Sequence, residues 1–187
     1  MPIPERLAYR QPSDTEVRTF SELCHEIEVR VVRQGEADDL LAQWNARANR
    51  VFEDGEFTTY SSAMDTVDFV KIALAPVPSF VPDLTYAELR AVFEGVMNFT
   101  AGGLAAHSYY LRWLEAQFPD SNVSDLIYHT DSWFGVPAAL QFPFTADQLL
   151  RAAIEFSGRT IPGAPVVSLP FELPKRRQVL ITPAPSR

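Results

Sequence analysis

With 187 residues, 47% hydrophobic and 21% charged, the chain carries enough apolar material for a packed core in one domain or two small ones, which excludes a disordered chain. A net charge of -8 argues against a nucleic-acid or anionic-membrane surface and suits a basic protein partner. The single Cys24 rules out an internal disulfide and a cysteine-cluster zinc site.

Met1 to Arg6 lacks the apolar run of a secretory signal, and no stretch is long enough to span a bilayer, so residence in the cytoplasm is expected. From Glu26 to Arg33, Ile27, Val29 and Val31 alternate with Glu26, Glu28 and Arg30, the pattern of a half-buried strand, and Gly35 ends it. In a strand, Cys24, His25 and Glu26 point to alternate faces and cannot converge on a metal. Glu36 to Phe52 then reads as an amphipathic helix carrying Leu40, Leu41, Trp44 and Ala48 on one stripe. Ser61 or Ser62 is the expected cap of the next, densely apolar helix, which contains Phe69, Val70 and Leu74. Pro76, Pro78 and Pro82 make the following segment an extended linker lying on the protein surface.

Thr85 with Glu88 three residues on has capping-box spacing, and Leu89, Val92, Phe93 and Val96 form the buried stripe of the helix that follows. Gly102 and Gly103 break the chain before a second helix from Leu104 to Phe118, which Pro119 stops. A short turn from Asn122 to His129 comes next, then an irregular apolar loop from Trp133 to Pro143. The last helix runs from Thr145 to Phe156, with Gly158 as terminator. In the tail, Arg177 to Thr182 is a short strand candidate that could pair with Glu26 to Arg33.

The turn is the part of the chain that reads as a contact surface. Asp125, Tyr128 and His129 stand at spacings that gather side chains on one helical turn, and tyrosine offers a rigid apolar body with a polar tip. The same residues admit a purely structural reading. Tyr128 and His129 can pack beneath Trp133 and Phe134, Asp125 can be a local cap, Glu115 a solvated acid, and His107 a half-buried, hydrogen-bonded histidine. No Gly-Xaa-Ser-Xaa-Gly elbow, phosphate-binding glycine loop or His-Glu-Xaa-Xaa-His motif points to catalysis, and His25, His107 and His129 are not spaced to share a zinc ion. An Asp125 and His129 pair at i and i+4 is the one hydrolase-like juxtaposition, and it has no obvious nucleophile.

The run Ser124-Asp125-Leu126-Ile127-Tyr128-His129-Thr130 resembles the Ser-Asp-Leu-Ile-Tyr-Tyr-Pro run of the bacteriocin immunity family, four-helix proteins that neutralise nuclease colicins and pyocins. Leu84 to Leu89 and Val96 to Asn98 look like that family's first helix, and Phe144 to Leu150 its last, so the resemblance covers about residues 84–158. It implies a cytoplasmic, non-catalytic inhibitor that binds a cognate toxin, with no cofactor, metal, nucleic acid or membrane. It also implies partner-binding roles for Asp125, Tyr128, His129 and Glu115, with His107, Ser108 and Leu111 as the variable positions that choose the partner. The chain departs from the family at several positions, including His129 for the second tyrosine and Thr130 for the proline of that run. Leu104-Ala105-Ala106 stands where glutamates are usual, Asp120 and Ser121 replace His and Pro, and Arg112 adds positive charge to the second helix.

The expected architecture is therefore mostly α with a small β component. An N-terminal α+β portion spans residues 1–75, a proline-rich linker 76–83, an immunity-like four-helix bundle 84–158, and a proline-rich tail with a possible strand 159–187. The alternative function is a non-catalytic scaffold that binds through the N-terminal portion, with a small hydrolase as a further one.

Overall fold

The structure is a computed structural model that describes residues 2–175, and among these there is no strand. The helices are α1 Asp14–Gln34, α2 Asp38–Asn45, α3 Asp54–Thr59, α4 Thr66–Leu74, α5 Tyr86–Met97, α6 Leu104–Gln117, α7 Val123–Tyr128, α8 Thr130–Phe134 and α9 Ala146–Ser157. Short 3-10 turns occupy Glu5–Leu7, Tyr60–Ser62 and Pro137–Gln141. The expected β component is thus overturned, and with it the α+β character of the N-terminal portion. The candidate strand at Arg177 to Thr182 lies outside the described residues.

Residues 26–33 are the second half of α1. Their alternation is a short stretch of a longer helical stripe, Val17, Phe20, Cys24, Ile27 and Val31, which packs into a core while Val32 is left 72% exposed. Ser13 and Glu16 close a capping box at the start, and Gly35 ends the helix in the left-handed conformation at φ 86°. On a helix Cys24 turns inward while His25 and Glu26 face solvent, so the triplet is separated by helical rotation rather than by strand alternation. The helix expected from Glu36 to Phe52 stops at Asn45. The Asn45 side chain donates to the Phe52 carbonyl (3.0 Å) and accepts from the Phe52 amide (2.8 Å), closing a loop where more helix was expected. Asp65, not Ser61 or Ser62, caps α4 by accepting from the Asp68 amide at 2.8 Å. The loop expected from Trp133 to Pro143 instead begins inside α8, Thr130–Phe134, and includes the 3-10 turn Pro137–Gln141.

Two apolar cores result. The first packs α1 to α4 around Trp44, whose ring meets Phe20, Phe52, Phe57 and Phe69 at centroid distances of 4.9–5.8 Å. The second packs α5, α6, α7 and α9 around Phe93, Leu114, Phe118, Leu126 and Leu150, and Leu7 from the N-terminal segment joins it. Helices α4 and α6 lie against each other where the two cores meet. Gln117, fully buried, holds the linker across that junction: it accepts from the Val81 amide at 2.9 Å and donates to the Ser79 carbonyl at 2.8 Å. Arg159 reaches the Val81 carbonyl and lies 4.4 Å above the Phe80 ring. The proline-rich segment is extended, as its composition requires, and is tied down along its length.

Candidate functional site

Helix α5 is capped by Thr85 and Glu88, and α9 by Thr145 and Gln148, so their directions are set by local sequence. Between them, α6 presents His107, Leu111 and Glu115 at i, i+4 and i+8, one continuous stripe, with Ser108 beside it. Helix α7 packs against α6. Six of the seven residues expected at a partner-binding site therefore lie on α6 and α7, with His129 directly after α7, although their roles differ.

At the centre is a hydrogen bond of 2.7 Å between Tyr128 Oη and His107 Nε2. His107 is buried to 6% exposure, whereas Tyr128 is 37% exposed. Phe99, in the loop between α5 and α6, stacks on the His107 imidazole with centroids 3.7 Å apart and planes 13° apart, and it remains 60% exposed. Its backbone lies at φ 54°, a region that costs a bulky L residue roughly 1–3 kcal/mol. Phe99, His107 and Tyr128 thus form a rigid aromatic cluster whose outer rings face solvent. Burial pushes the His107 pKa down, so the ring is neutral at pH 7, and burial pushes the Tyr128 hydroxyl up, so it stays protonated. His107 Nδ1 is buried without a hydrogen-bond partner, which leaves the Tyr128 hydroxyl as the ring's anchor.

The acids are less available. Glu115 accepts from the Ser124 amide at 2.7 Å and so caps α7, whose preceding residue Asn122 lies at φ 46°. Asp125 accepts from the Asn122 side chain. Neither carboxylate projects from the face unpartnered. His129 is exposed between α7 and α8, and its amide donates to the Asp125 carbonyl at 2.8 Å. No hydrogen bond or ion pair joins the Asp125 carboxylate to the His129 imidazole among the described residues, so the hydrolase-like pair is not assembled. Leu111 and Ser108 are partly buried on the same stripe.

Asp125 also borders a cleft of about 550 Å³ lined by Asn122, Ser132, Trp133, Phe156 and Lys175. Tyr128 and His107 do not line it. Trp133 closes the cleft's inner wall by donating from its indole to the Ser121 carbonyl at 2.6 Å. Among the described residues no group of three or more histidine, cysteine or acidic side chains is placed to hold a metal ion, and no helix is long and apolar enough to cross a membrane.

Phe99 is the residue that the sequence reading missed. Its signal is an aromatic one position past Asn98, at the end of a helix whose apolar stripe is already complete, where burial gives no reason for a large ring. No family model matches the chain, and no curated protein and no solved structure matches it.

Proposed function

We propose that the chain is an inhibitor of immunity type, which binds a bacteriocin-type nuclease toxin through the face formed by Phe99, His107 and Tyr128 and occludes the toxin's substrate site. The observation that carries this reading is that two exposed aromatic rings are clamped to one buried imidazole. Aromatic side chains of this kind, fixed before the partner arrives, supply binding area at little entropic cost. The surface is chemically suited to contact and poorly suited to catalysis, because it offers no nucleophile and its carboxylates are occupied by local hydrogen bonds. The proposed toxin docks mainly by apolar and aromatic contact, since α6 lacks a row of acids. The overall negative charge of the chain supplies long-range attraction to a basic protein.

The test is capture from the native host under conditions that induce toxin production, with identification of the captured protein and assay of its nuclease activity. Wild type is expected to retain a nuclease and to inhibit it stoichiometrically. Tyr128→Ala, confirmed folded by circular dichroism, is expected to weaken binding by about 30-fold or more, corresponding to a hot-spot loss of about 2 kcal/mol. Equal retention of the partner by both proteins would place the interface elsewhere, and capture of no toxin by wild type would remove the reading.

A further inference from the structure

The aromatic face leaves unused the cleft of about 550 Å³ that opens beside the turn between α6 and α7. That volume lies in the range that takes a small organic molecule. The cleft is walled by the turn itself together with α7, by α8, by the end of α9, and by Pro174 and Lys175 from the segment after α9. The turn is held from within. Asp120 and Asn122 stand in left-handed backbone at φ 65° and 46°, on either side of the fully buried Ser121. The Ser121 amide donates to the Phe118 carbonyl at 3.2 Å, and the Ser121 carbonyl accepts from the Trp133 indole, which ties α8 to the turn.

Charges of both signs line this cleft without meeting. Asp120 is exposed there, and among the described residues its carboxylate has no hydrogen bond or ion pair. Lys175 is exposed on the same cleft, and among the described residues no ion pair joins it to Asp120 or to Asp125. Asp125 already accepts from the Asn122 side chain, so it adds field more than a second free acceptor. The apolar part of the lining is the pair of Trp133 and Phe156 rings, edge to face with centroids 5.3 Å apart, with Pro119 and Pro174. The indole N–H is spent on Ser121, so Trp133 offers the cleft ring surface rather than a donor. A simple cation in this cleft would be opposed by Lys175, and a simple anion would face two carboxylates. A molecule that carries both charges and an apolar body complements all three parts of the lining.

We infer that the cleft binds a small zwitterion, an α-amino acid with an apolar or aromatic side chain or the same groups in a short peptide. Its ammonium is directed to Asp120, its carboxylate to Lys175, and its side chain to the Trp133 and Phe156 rings. Neither Tyr128 nor His107 lines the cleft, so the site does not depend on the toxin-binding reading.

The experiment is a calorimetric and thermal-unfolding titration of the full chain with three compounds: L-phenylalanine, N-acetyl-L-phenylalanine, which lacks the ammonium, and L-phenylalaninamide, which lacks the carboxylate. Wild type is expected to bind phenylalanine saturably and to melt about 3–5 °C higher at ten times the dissociation constant. Each analogue is expected to bind about five- to tenfold more weakly. Asp120→Asn is expected to lose the preference for phenylalanine over its N-acetyl form and to keep the preference over the amide, and Lys175→Met is expected to do the reverse. Both positions are exposed, so both variants are expected to fold, which circular dichroism checks. Glu36→Gln, an exposed acid between α1 and α2 and outside the cleft's lining, removes the same charge and should titrate as wild type does. Glycyl-phenylalanine separates the sources: tighter binding than phenylalanine assigns a peptide, and weaker binding assigns a free amino acid. Absence of saturable binding of both phenylalanine and glycyl-phenylalanine at millimolar concentrations overturns the site. So does equal binding of the three compounds by wild type, or preferences that survive unchanged in Asp120→Asn and Lys175→Met.

Discussion

Phe99 combines two properties that seldom coincide unless a ring is needed where it stands: it is 60% exposed, and it sits in left-handed backbone at φ 54°. Phe99→Gly relieves the backbone and deletes the stack on His107, so stability is expected to change by less than about 1 kcal/mol while partner binding falls at least tenfold. A melting curve and a binding assay on the same preparation check the two halves of that expectation. Tyr128→Phe removes only the hydroxyl that anchors His107 and is expected to lower stability by about 1 kcal/mol in urea unfolding. The depressed His107 pKa has a definite sign. The folded state takes up its proton less readily than the unfolded chain, so the associated stability is fully present above the unfolded value of about 6.5 and is lost as the pH falls below it. Stability between pH 5 and 6.5 should therefore fall less steeply in His107→Phe than in wild type. Of the residues singled out from sequence, Tyr128 and His107 could be read as a pair only with difficulty. They lie on different helices 21 positions apart, and no local spacing connects them.

Among the elements, those with strong punctuation were legible and α1 was not. Thr85 with Glu88, Thr145 with Gln148, and Gly158 mark ends by side-chain and backbone chemistry that acts within a few residues. In α1 the same signals were present at Ser13, Glu16 and Gly35, but the β-branched run at Ile27, Val29, Val31 and Val32 dominates any short window. Burial follows the 3.6-residue stripe over the full 21 residues, and tertiary packing of Val17, Cys24 and Ile27 outweighs the weak strand preference of the valines. Ser13→Ala is expected to cost about 1 kcal/mol, and Gly35→Val more, because valine at φ 86° is strained. Chemical denaturation of the two variants checks both. Glu115 teaches the complementary lesson. Its sequence reading as a binding acid competes with an amide of the next helix, Ser124, and that bond is visible only once α6 and α7 are side by side.

At the scale of the whole molecule, the junction between the cores is where sequence is least informative, because Gln117, Arg159 and Arg112 act on residues 36 to 78 positions away. Gln117 is the clearest case. A fully buried amide on a helix that otherwise reads as apolar looks like a defect until the proline-rich segment is laid across it. Gln117→Leu leaves the Val81 amide and Ser79 carbonyl unpaired and is expected to destabilise the chain by about 2–4 kcal/mol in urea unfolding, without altering the aromatic face. The same long-range geometry brings Arg112 of α6 to the Ile72 carbonyl of α4.

The central claim is that the exposed aromatic cluster on α6, α7 and the loop before α6 is a docking face for a toxin. The direct measurement is the affinity of the captured host toxin for wild type, Tyr128→Ala and Phe99→Gly, with Arg112→Met as a folded control altered on another face. Losses of about tenfold or more in the two aromatic variants, with the control unchanged, are predicted. Equal affinities across all four proteins would contradict the claim.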